Sequence, residues 1–197
     1  MRTKKYSDKI PVLFENVQDF PIEGFEFPDI TPILENNVEV FRDIITDLSF
    51  PYIEVKPDCI VCVESFGYVF GVPIAHILGC KIVLARKAGK LPRKTISQNY
   101  EMCYSSSKSL EINATAIKPN DTVVIIDDFL ASGGTLLATI KLIKEVGGIV
   151  QGAGFVSELV DMNARQSAEF QEVKIHSIFK MRFDEKKHCW VSSHNAQ

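Results

Sequence analysis

The sequence predicts an α/β protein built on an open, mostly parallel, twisted sheet flanked by helices. Short apolar runs at 58–64, 81–85 and 123–126 have the length and composition of strands buried on both faces. Helical patterns separate these runs, and strand–helix–strand alternation favours parallel pairing through right-handed crossovers. Because ligands of such sheets bind beyond the carboxyl ends of the strands, we expect the functional site at that edge.

The N-terminal part of the chain is predicted to form a weakly amphipathic helix within 5–19, followed by a loop over 20–32 rich in proline. Apolar residues at three- and four-residue spacing then predict a helix over 35–50. Three phenylalanines crowd the loop, which makes it either a hydrophobic plug over the core or a flat slot for an aromatic ligand. They are Phe20, Phe25 and Phe27.

The remaining elements continue the alternation. Helices are predicted over 68–78, 136–146 and 162–170, and strands over 149–159 and 174–179. Residues 95–104 alternate in the manner of a strand, and 109–112 is its expected hairpin partner across a turn at 105–108. We expect the polar end of the C-terminal tail to fray.

A chain of 197 residues, 46% of them hydrophobic, is expected to form one domain around one core. We divide it into an N-terminal segment (1–35), a basic loop with a flap (86–112) and a C-terminal tail (180–197). The formal net charge of −3 provides no basic field for nucleic acid and no polybasic patch for a membrane surface. No apolar run has the length of a membrane span.

The N-terminus lacks the apolar core of a signal peptide, so we expect a cytoplasmic protein. Five cysteines, an odd number found mostly in predicted strands, fit reduced thiols better than a disulfide framework. Cys59 and Cys62 have the spacing of a redox or zinc pair. They lie in a predicted strand without a second ligand pair, so we interpret them as packing thiols.

Residues 122–135, TVVIIDDFLASGGT, are the segment around which the site is predicted. A buried strand ends in Asp127 and Asp128, a loop of small residues follows, and a helix begins at once. Free N–H groups and the dipole at a helix start suit a phosphate monoester. The two acids suit ribose hydroxyls, or a metal held by a diphosphate. A phosphorylated ribose offers a phosphate to the helix start and hydroxyls to the acid pair. The segment lacks the lysine of a P-loop and the glycine spacing of a dinucleotide-binding loop.

Two simpler interpretations stand beside this one. The loop is also compatible with a plain strand-to-helix turn in which Thr135 lies near the N-cap. Residues 86–94 hold five cations, which is either a solvated basic loop or a loop that closes over a diphosphate. Its position after a predicted strand, at the same sheet edge as the acid pair, favours the second interpretation.

Residues 122–135 closely resemble the phosphoribosyl-diphosphate (PRPP) signature of the type I phosphoribosyltransferases. From about residue 20 to 159 the chain is similar to the adenine phosphoribosyltransferase family in particular. The further matching segments are Phe20-Pro-X-X-Gly24, Phe27-X-Asp-Ile-Thr-Pro32, Glu64-Ser-X-Gly67, Phe70-Gly-X-Pro73, the basic loop at 86–93 and Leu110-Glu-Ile112.

This resemblance implies the type I phosphoribosyltransferase fold, with a small N-terminal hood and a two-stranded flap. It also implies a purine phosphoribosyltransferase of salvage, which transfers the phosphoribosyl group from PRPP to a purine base with Mg²⁺. Adenine is favoured as the base, giving AMP and diphosphate. We expect a homodimer, with small-molecule substrates and neither nucleic acid nor membrane as a partner.

The resemblance assigns roles to individual positions. The 5′-phosphate is assigned to Ala131, Ser132, Gly133, Gly134 and Thr135, and the ribose hydroxyls to Asp127 and Asp128. The diphosphate is assigned to Ser65, Phe66, Arg86, Lys87 and Lys90. The base is assigned to Glu26, Phe27 and Pro28, with Phe27 stacked on its ring, and a catalytic role on the flap to Glu101 and Cys103. Mg²⁺ is expected to be held through PRPP, with no direct protein ligand.

Three of these positions depart from the family pattern. Pro28 lacks the backbone N–H that the family donates to the base. Phe66 replaces an arginine that reaches the diphosphate, and Cys103 replaces a glutamate of the flap, for which Glu101 is a possible substitute. The departures leave open a 6-oxopurine (hypoxanthine, guanine or xanthine) transferase and a non-catalytic PRPP- or nucleotide-binding regulatory protein. A pyrimidine or orotate transferase and an unrelated α/β domain are further alternatives.

Overall fold

The computed structural model describes residues 13–102, 105–170 and 172–193, with the backbone alone at 101–102 and 105–107. The strands are β1 (Glu15–Val17), β2 (Phe27–Asp29), β3 (Cys59–Val63), β4 (Lys81–Lys87), β5 (Thr95–Met102), β6 (Ser105–Asn113), β7 (Thr122–Leu130), β8 (Ile149–Leu159), β9 (Lys174–Asp184) and β10 (Cys189–Ser192). The α-helices are α1 (Thr31–Asn36), α2 (Val38–Ser49), α3 (Phe66–Leu78) and α4 (Gly134–Glu145).

Eight of these strands form one sheet in the order β10-β9-β8-β7-β3-β4-β6-β5. The five central strands, from β9 to β4, pair in parallel. Antiparallel pairs lie towards the two edges of this sheet, where β10 pairs with β9, β6 with β4, and β5 with β6. The predicted open, mostly parallel α/β sheet is therefore confirmed.

The side chains of β7 explain why its sequence is an unbroken apolar run. Val124 and Ile126 pack into a core with residues of α2 and α3, whereas Val123 and Ile125 face a second core with residues of α4. Successive side chains of a strand point to opposite faces, so a strand covered by helices on both sides must be apolar at every position. The two charged residues of β7, Asp127 and Asp128, follow this buried apolar run.

Several local predictions are wrong in detail. The helix predicted over 35–50 is two helices, α1 and α2, which meet at Asn37. The helix predicted over 162–170 is a series of short 3₁₀ turns, at Val160–Met162, Ala164–Gln166 and Ala168–Phe170. Residues 105–108, predicted to turn, belong to β6.

The two ends of the described chain also differ from prediction. β1 lies within the predicted N-terminal helix, the remainder of which falls largely outside the described residues, and β2 lies within the predicted loop. After Phe179 the chain stays ordered, because β9 runs on to Asp184 and turns into β10. Residues 194–197 fall outside the described part of the chain.

Trp190 in β10 connects the C-terminal hairpin to the N-terminal hood. Its side chain is 5% exposed, and its indole Nε1–H donates to the carbonyl of Glu26 at 2.8 Å. Its backbone N–H donates to Asn16 Oδ1, also at 2.8 Å. The β1–β2 pair is therefore held against the main sheet by the opposite end of the chain.

Cys59 and Cys62 are buried in β3 as free thiols, as their interpretation as packing residues requires. Burial raises the pKa of each to about 12, which keeps both protonated and unreactive at neutral pH. Among the described helices, none has both the length and the apolar character needed to cross a membrane.

Candidate active site

The loop after β7 leads directly into α4. Gly133 is the residue that precedes the helix, with φ of 88°, and no described side chain caps the helix start. A Cβ atom at Gly133 would lie 2.6 Å from Cε2 of Phe170. Both the left-handed backbone and the close ring require glycine here. The first N–H groups of α4 consequently remain available to an anion.

Asp127 and Asp128 end the buried part of β7 as a closely spaced acid pair. Asp127 is 8% exposed, and its Oδ1 accepts the backbone N–H of Asp128 at 3.0 Å. Burial, together with the charge of Asp128, holds the pKa of Asp127 well above its ordinary value. Burial also raises the pKa of Asp128. Such a pair favours a ligand that brings hydroxyl donors or positive charge.

The start of α3 faces this pair across the site. Gly67 permits the approach, because a Cβ atom there would lie 2.6 Å from the carbonyl oxygen of Ile126. The peptide between Glu64 and Ser65 is cis. Ser65 and Phe66 line the same cavity as the acid pair, so the first turn of α3 and the end of β7 form two walls of one site.

Two carboxylates organise the basic loop. Glu64 Oε2 accepts both the Nε–H of Arg86 and the backbone N–H of Lys87, each at 3.1 Å. Glu111 is 5% exposed and accepts the backbone N–H groups of Lys90 and Leu91. Although burial opposes ionisation, these hydrogen bonds lower the pKa of Glu111. The loop is thus anchored on both sides.

Aromatic side chains form the hood wall. The ring of Phe27 meets those of Phe20 and Phe129 edge-to-face, with centroids 5.5 Å and 6.0 Å apart. Pro28 follows in β2 and is buried. Of the two interpretations of the phenylalanine-rich loop, the geometry matches the slot, because Phe20, Phe25 and Phe27 all line an open cavity.

All these walls enclose one cavity of about 420 Å³. The sequence-predicted residues that line it are Phe27, Pro28, Ser65, Phe66, Lys87, Asp127, Asp128, Ala131, Ser132, Gly133, Gly134 and Thr135.

Three predicted residues do not line the cavity. The backbone carbonyl of Glu26 accepts the hydrogen bond from Trp190, and its side-chain Oε2 is buried with no hydrogen-bond partner among the described residues. Arg86 is paired with Glu64 and donates its Nη1–H to the backbone carbonyl of Lys90, and neither Arg86 nor Lys90 is among the residues that line the cavity. Cys103 and the side chain of Glu101 lie outside the described residues.

Sequence reasoning missed several residues of the site. Phe129, Tyr100, Lys108 and Met162 all line the cavity. Phe129 had a signal, because it directly follows the acid pair. Lys108 had one as well, since it shares the period-two alternation of Leu110 and Ile112, but it was assigned to a turn.

Comparison with known proteins agrees with this geometry. The family model "Phosphoribosyl transferase domain" matches residues 32–194. Adenine phosphoribosyltransferase of Carboxydothermus hydrogenoformans is 42% identical over 173 residues, covering 88% of this chain and 96% of the relative. That of Shewanella frigidimarina is 42% identical over 164 residues, covering 83% and 89%.

Solved structures show the same likeness. The crystal structure of adenine phosphoribosyltransferase from Thermoanaerobacter pseudethanolicus superimposes with a TM-score of 0.80 at 38% identity, covering 88% of this chain and 98% of the other. The Saccharomyces cerevisiae enzyme, complexed with an imino-altritol bisphosphate and adenine, gives 0.78 at 32% identity, covering 89% and 99%. With the acid pair, the small-residue loop before α4 and the aromatic hood around one cavity, this chain belongs to the phosphoribosyltransferase family and groups within it with the adenine phosphoribosyltransferases.

Proposed function

We propose that this enzyme transfers the phosphoribosyl group of PRPP to adenine, producing AMP and diphosphate in purine salvage. The observation that carries the proposal is one cavity with three chemically different walls. An anion-binding helix start, a buried acid pair and an aromatic hood match the phosphate, the ribose and the base of the product. The names of the relatives support adenine as the base.

In this arrangement the protein supplies position and charge, and no side chain acts as a nucleophile. The N–H groups at the start of α4 bind the 5′-phosphate, and the carboxylates of Asp127 and Asp128 accept hydrogen bonds from the ribose hydroxyls. Phe27 aligns the base with the sugar carbon, so the bond to the base forms as the bond to diphosphate breaks. Fixing two reactants in this way supplies about 7–11 kcal/mol in model reactions.

The charges of the site complement those that develop during transfer. As the sugar acquires cationic character, the nearby carboxylates of Asp127 and Asp128 stabilise it. The departing diphosphate gains negative charge on the side where Lys87 and the first turn of α3 line the cavity. Groups already held in position stabilise such charges without reorganising during the reaction.

Magnesium fits this donor set as an ion carried by PRPP. Among the described residues, no group of three potential metal ligands converges, so the substrate has to supply most of the coordinating oxygens. Asp127 and Asp128 line the cavity and would approach the ion with their carboxylates. When bound, Mg²⁺ neutralises diphosphate charge and improves it as a leaving group.

The identity of the base is tested by measuring diphosphate release from PRPP and Mg²⁺ with adenine, hypoxanthine, guanine and xanthine. Adenine should be used fastest. Pro28 provides the physical reason to test the others, since it has no N–H for the acceptor N1 of adenine, whereas a 6-oxopurine carries a proton on N1. Fastest turnover of hypoxanthine would replace adenine by that class, and PRPP binding without release with any base would indicate a regulatory protein.

We also propose that the enzyme is a homodimer. An exposed apolar surface supports this, formed by one side of α3 and the outward face of β4, with residues Val69, Val72, Ile77, Ile82 and Leu84. Two aromatic residues of α3 do not belong to this surface, since Phe70 is 0% exposed and packs inside the protomer, and the Tyr68 hydroxyl donates to the carbonyl of Ala85.

Light scattering after size exclusion tests the dimer. Val72→Asp should convert it to monomers, because a carboxylate would be buried in the interface. The matched control is Val38→Asp, at a position on α2 that is 64% exposed. A monomeric wild-type protein, or equal behaviour of both variants, would refute the assignment.

A cytoplasmic location is proposed from the thiols. Cys59, Cys62, Cys80 and Cys189 are all free, which is the usual state of thiols in a reducing compartment. Fractionation of cells that express the native gene would test this directly.

A further inference from the structure

Lys108 lies on the inner face of the flap. β5 and β6 pair so that Ile96 faces Ile112, Gln98 faces Leu110 and Tyr100 faces Lys108. Leu110 and Ile112 are 1% and 0% exposed. Because alternate residues of a strand share a face, Lys108 places a cation where this face otherwise buries apolar side chains.

Two neighbours define where this cation lies. Tyr100 pairs with Lys108, and it lines the same cavity as Asp127 and Asp128. Lys87 pairs with Leu110, so Lys87 and Lys108 are diagonal neighbours on adjacent strands, with Cα atoms about 7–8 Å apart in standard sheet geometry. Both lysines line the cavity that contains Asp128.

A protective role at a sheet edge does not account for this lysine. Lysine often blocks unwanted pairing on edge strands, but β6 lies between β4 and β5 and is not an edge strand. Its side chain is half-buried rather than fully solvated.

The cavity also has a shortage of positive charge that Lys108 would relieve. Of the residues assigned to the diphosphate, Phe66 carries no charge, Arg86 is paired with Glu64, and Lys90 does not line the cavity. Within the described part of the chain, Lys87 and Lys108 are the cations that line it. A diphosphate group carries several negative charges, so a single ammonium group would neutralise only part of it.

We infer that Lys108 is a PRPP-binding residue, which contacts the diphosphate group together with Lys87 and compensates for the cation missing at Phe66. The inference rests on the proposed function and deepens it. In this enzyme the diphosphate is held from the flap side of the site, by a lysine of β6.

The test is calorimetric titration of Mg²⁺–PRPP and of inorganic diphosphate into the Lys108→Met variant, with steady-state kinetics. Affinity for both ligands should fall about ten- to a hundredfold, as expected for a charge-assisted contact. KM for PRPP should rise in parallel while KM for the base stays within about twofold, and Lys108→Arg should recover most of the affinity. Lys174→Met is the matched control, since it lies at the amino end of β9, away from the site.

A second measurement uses the unmodified protein. Acetylation of individual lysines by acetic anhydride is measured by mass spectrometry. Mg²⁺–PRPP should slow the acetylation of Lys108, while Lys174 reacts at an unchanged rate. If the wild-type protein binds PRPP and diphosphate but Lys108→Met binds them equally well, the role of Lys108 is refuted and the proposed function stands. The same holds if PRPP binds without protecting Lys108 from acetylation. A wild-type protein that binds neither PRPP nor diphosphate overturns the proposed function and the assignment together.

Discussion

Replacing Gly133 by alanine should destabilise both the protein and the loop that leads into α4. The residue has φ of 88°, and a Cβ atom would lie 2.6 Å and 2.8 Å from Cε2 and Cζ of Phe170 and 3.4 Å from Cβ of Ala164. A left-handed conformation costs an alanine about 1–2 kcal/mol. Overpacking a filled site adds about 1–3 kcal/mol. We therefore expect Gly133→Ala to lower the free energy of unfolding by about 2–5 kcal/mol.

The matched control is Gly79→Ala at the end of α3. Gly79 also has a left-handed conformation, with φ of 67°, but nothing lies within 4 Å of its missing Cβ atom. It should therefore lose only the backbone contribution of about 1–2 kcal/mol. Urea denaturation of both variants measures the difference, and calorimetry should show weaker PRPP binding for Gly133→Ala alone.

The contact with Phe170 can be isolated in a double-mutant cycle. In a Phe170→Leu background the ring atoms that obstruct the new methyl group are gone, so Gly133→Ala should cost less there than in the wild type. Equal losses for Gly133→Ala and Gly79→Ala, or a cycle without coupling, would refute the steric reasoning.

Three further predictions concern charge and the hood. Burial raises the pKa of Asp127, so the contribution of this residue to stability falls as pH rises from about 3.9 through that raised pKa. Asp127→Asn should therefore weaken this pH dependence, stabilise the protein at pH 8 and abolish PRPP binding. Lower stability of the variant at pH 8 would contradict this. Trp190→Phe removes the hydrogen bond to Glu26 and should raise KM for the base about two- to tenfold while the affinity for PRPP stays unchanged. Equal changes in KM for the base and in PRPP affinity would instead indicate that the whole site is less ordered. Arg165→Met leaves the Glu158 carboxylate, 7% exposed, without its two 2.7 Å hydrogen bonds, and should cost about 3 kcal/mol at pH 7. Burial raises the pKa of Glu158, but hydrogen bonding to Arg165 outweighs burial and lowers this pKa overall. The stability lost in Arg165→Met should therefore become smaller in acid unfolding curves as pH falls through the pKa of Glu158.

Features encoded within a few consecutive residues could be predicted from the sequence. The central strands were recognisable because burial on both faces requires an unbroken apolar run, and β8 was predicted with its observed bounds. The acid pair, the turn and the start of α4 are contiguous in the sequence, so their proximity could be predicted before the fold was known. Segment 162–170 was mispredicted because its short turns depend on distant partners, such as the contact of Phe170 with Gly133.

By itself, therefore, the sequence determined the mostly parallel sheet and the family, since both depend on patterns within short segments. Only the tertiary structure decided which cations face the cavity. Arg86 is held by Glu64, while Lys108 is turned inward by the register of β6 against β4 and β5. It also decided that Trp190 supports the hood, through a hydrogen bond between residues 164 positions apart. Contacts between distant segments depend on strand order and register, which a local pattern does not encode.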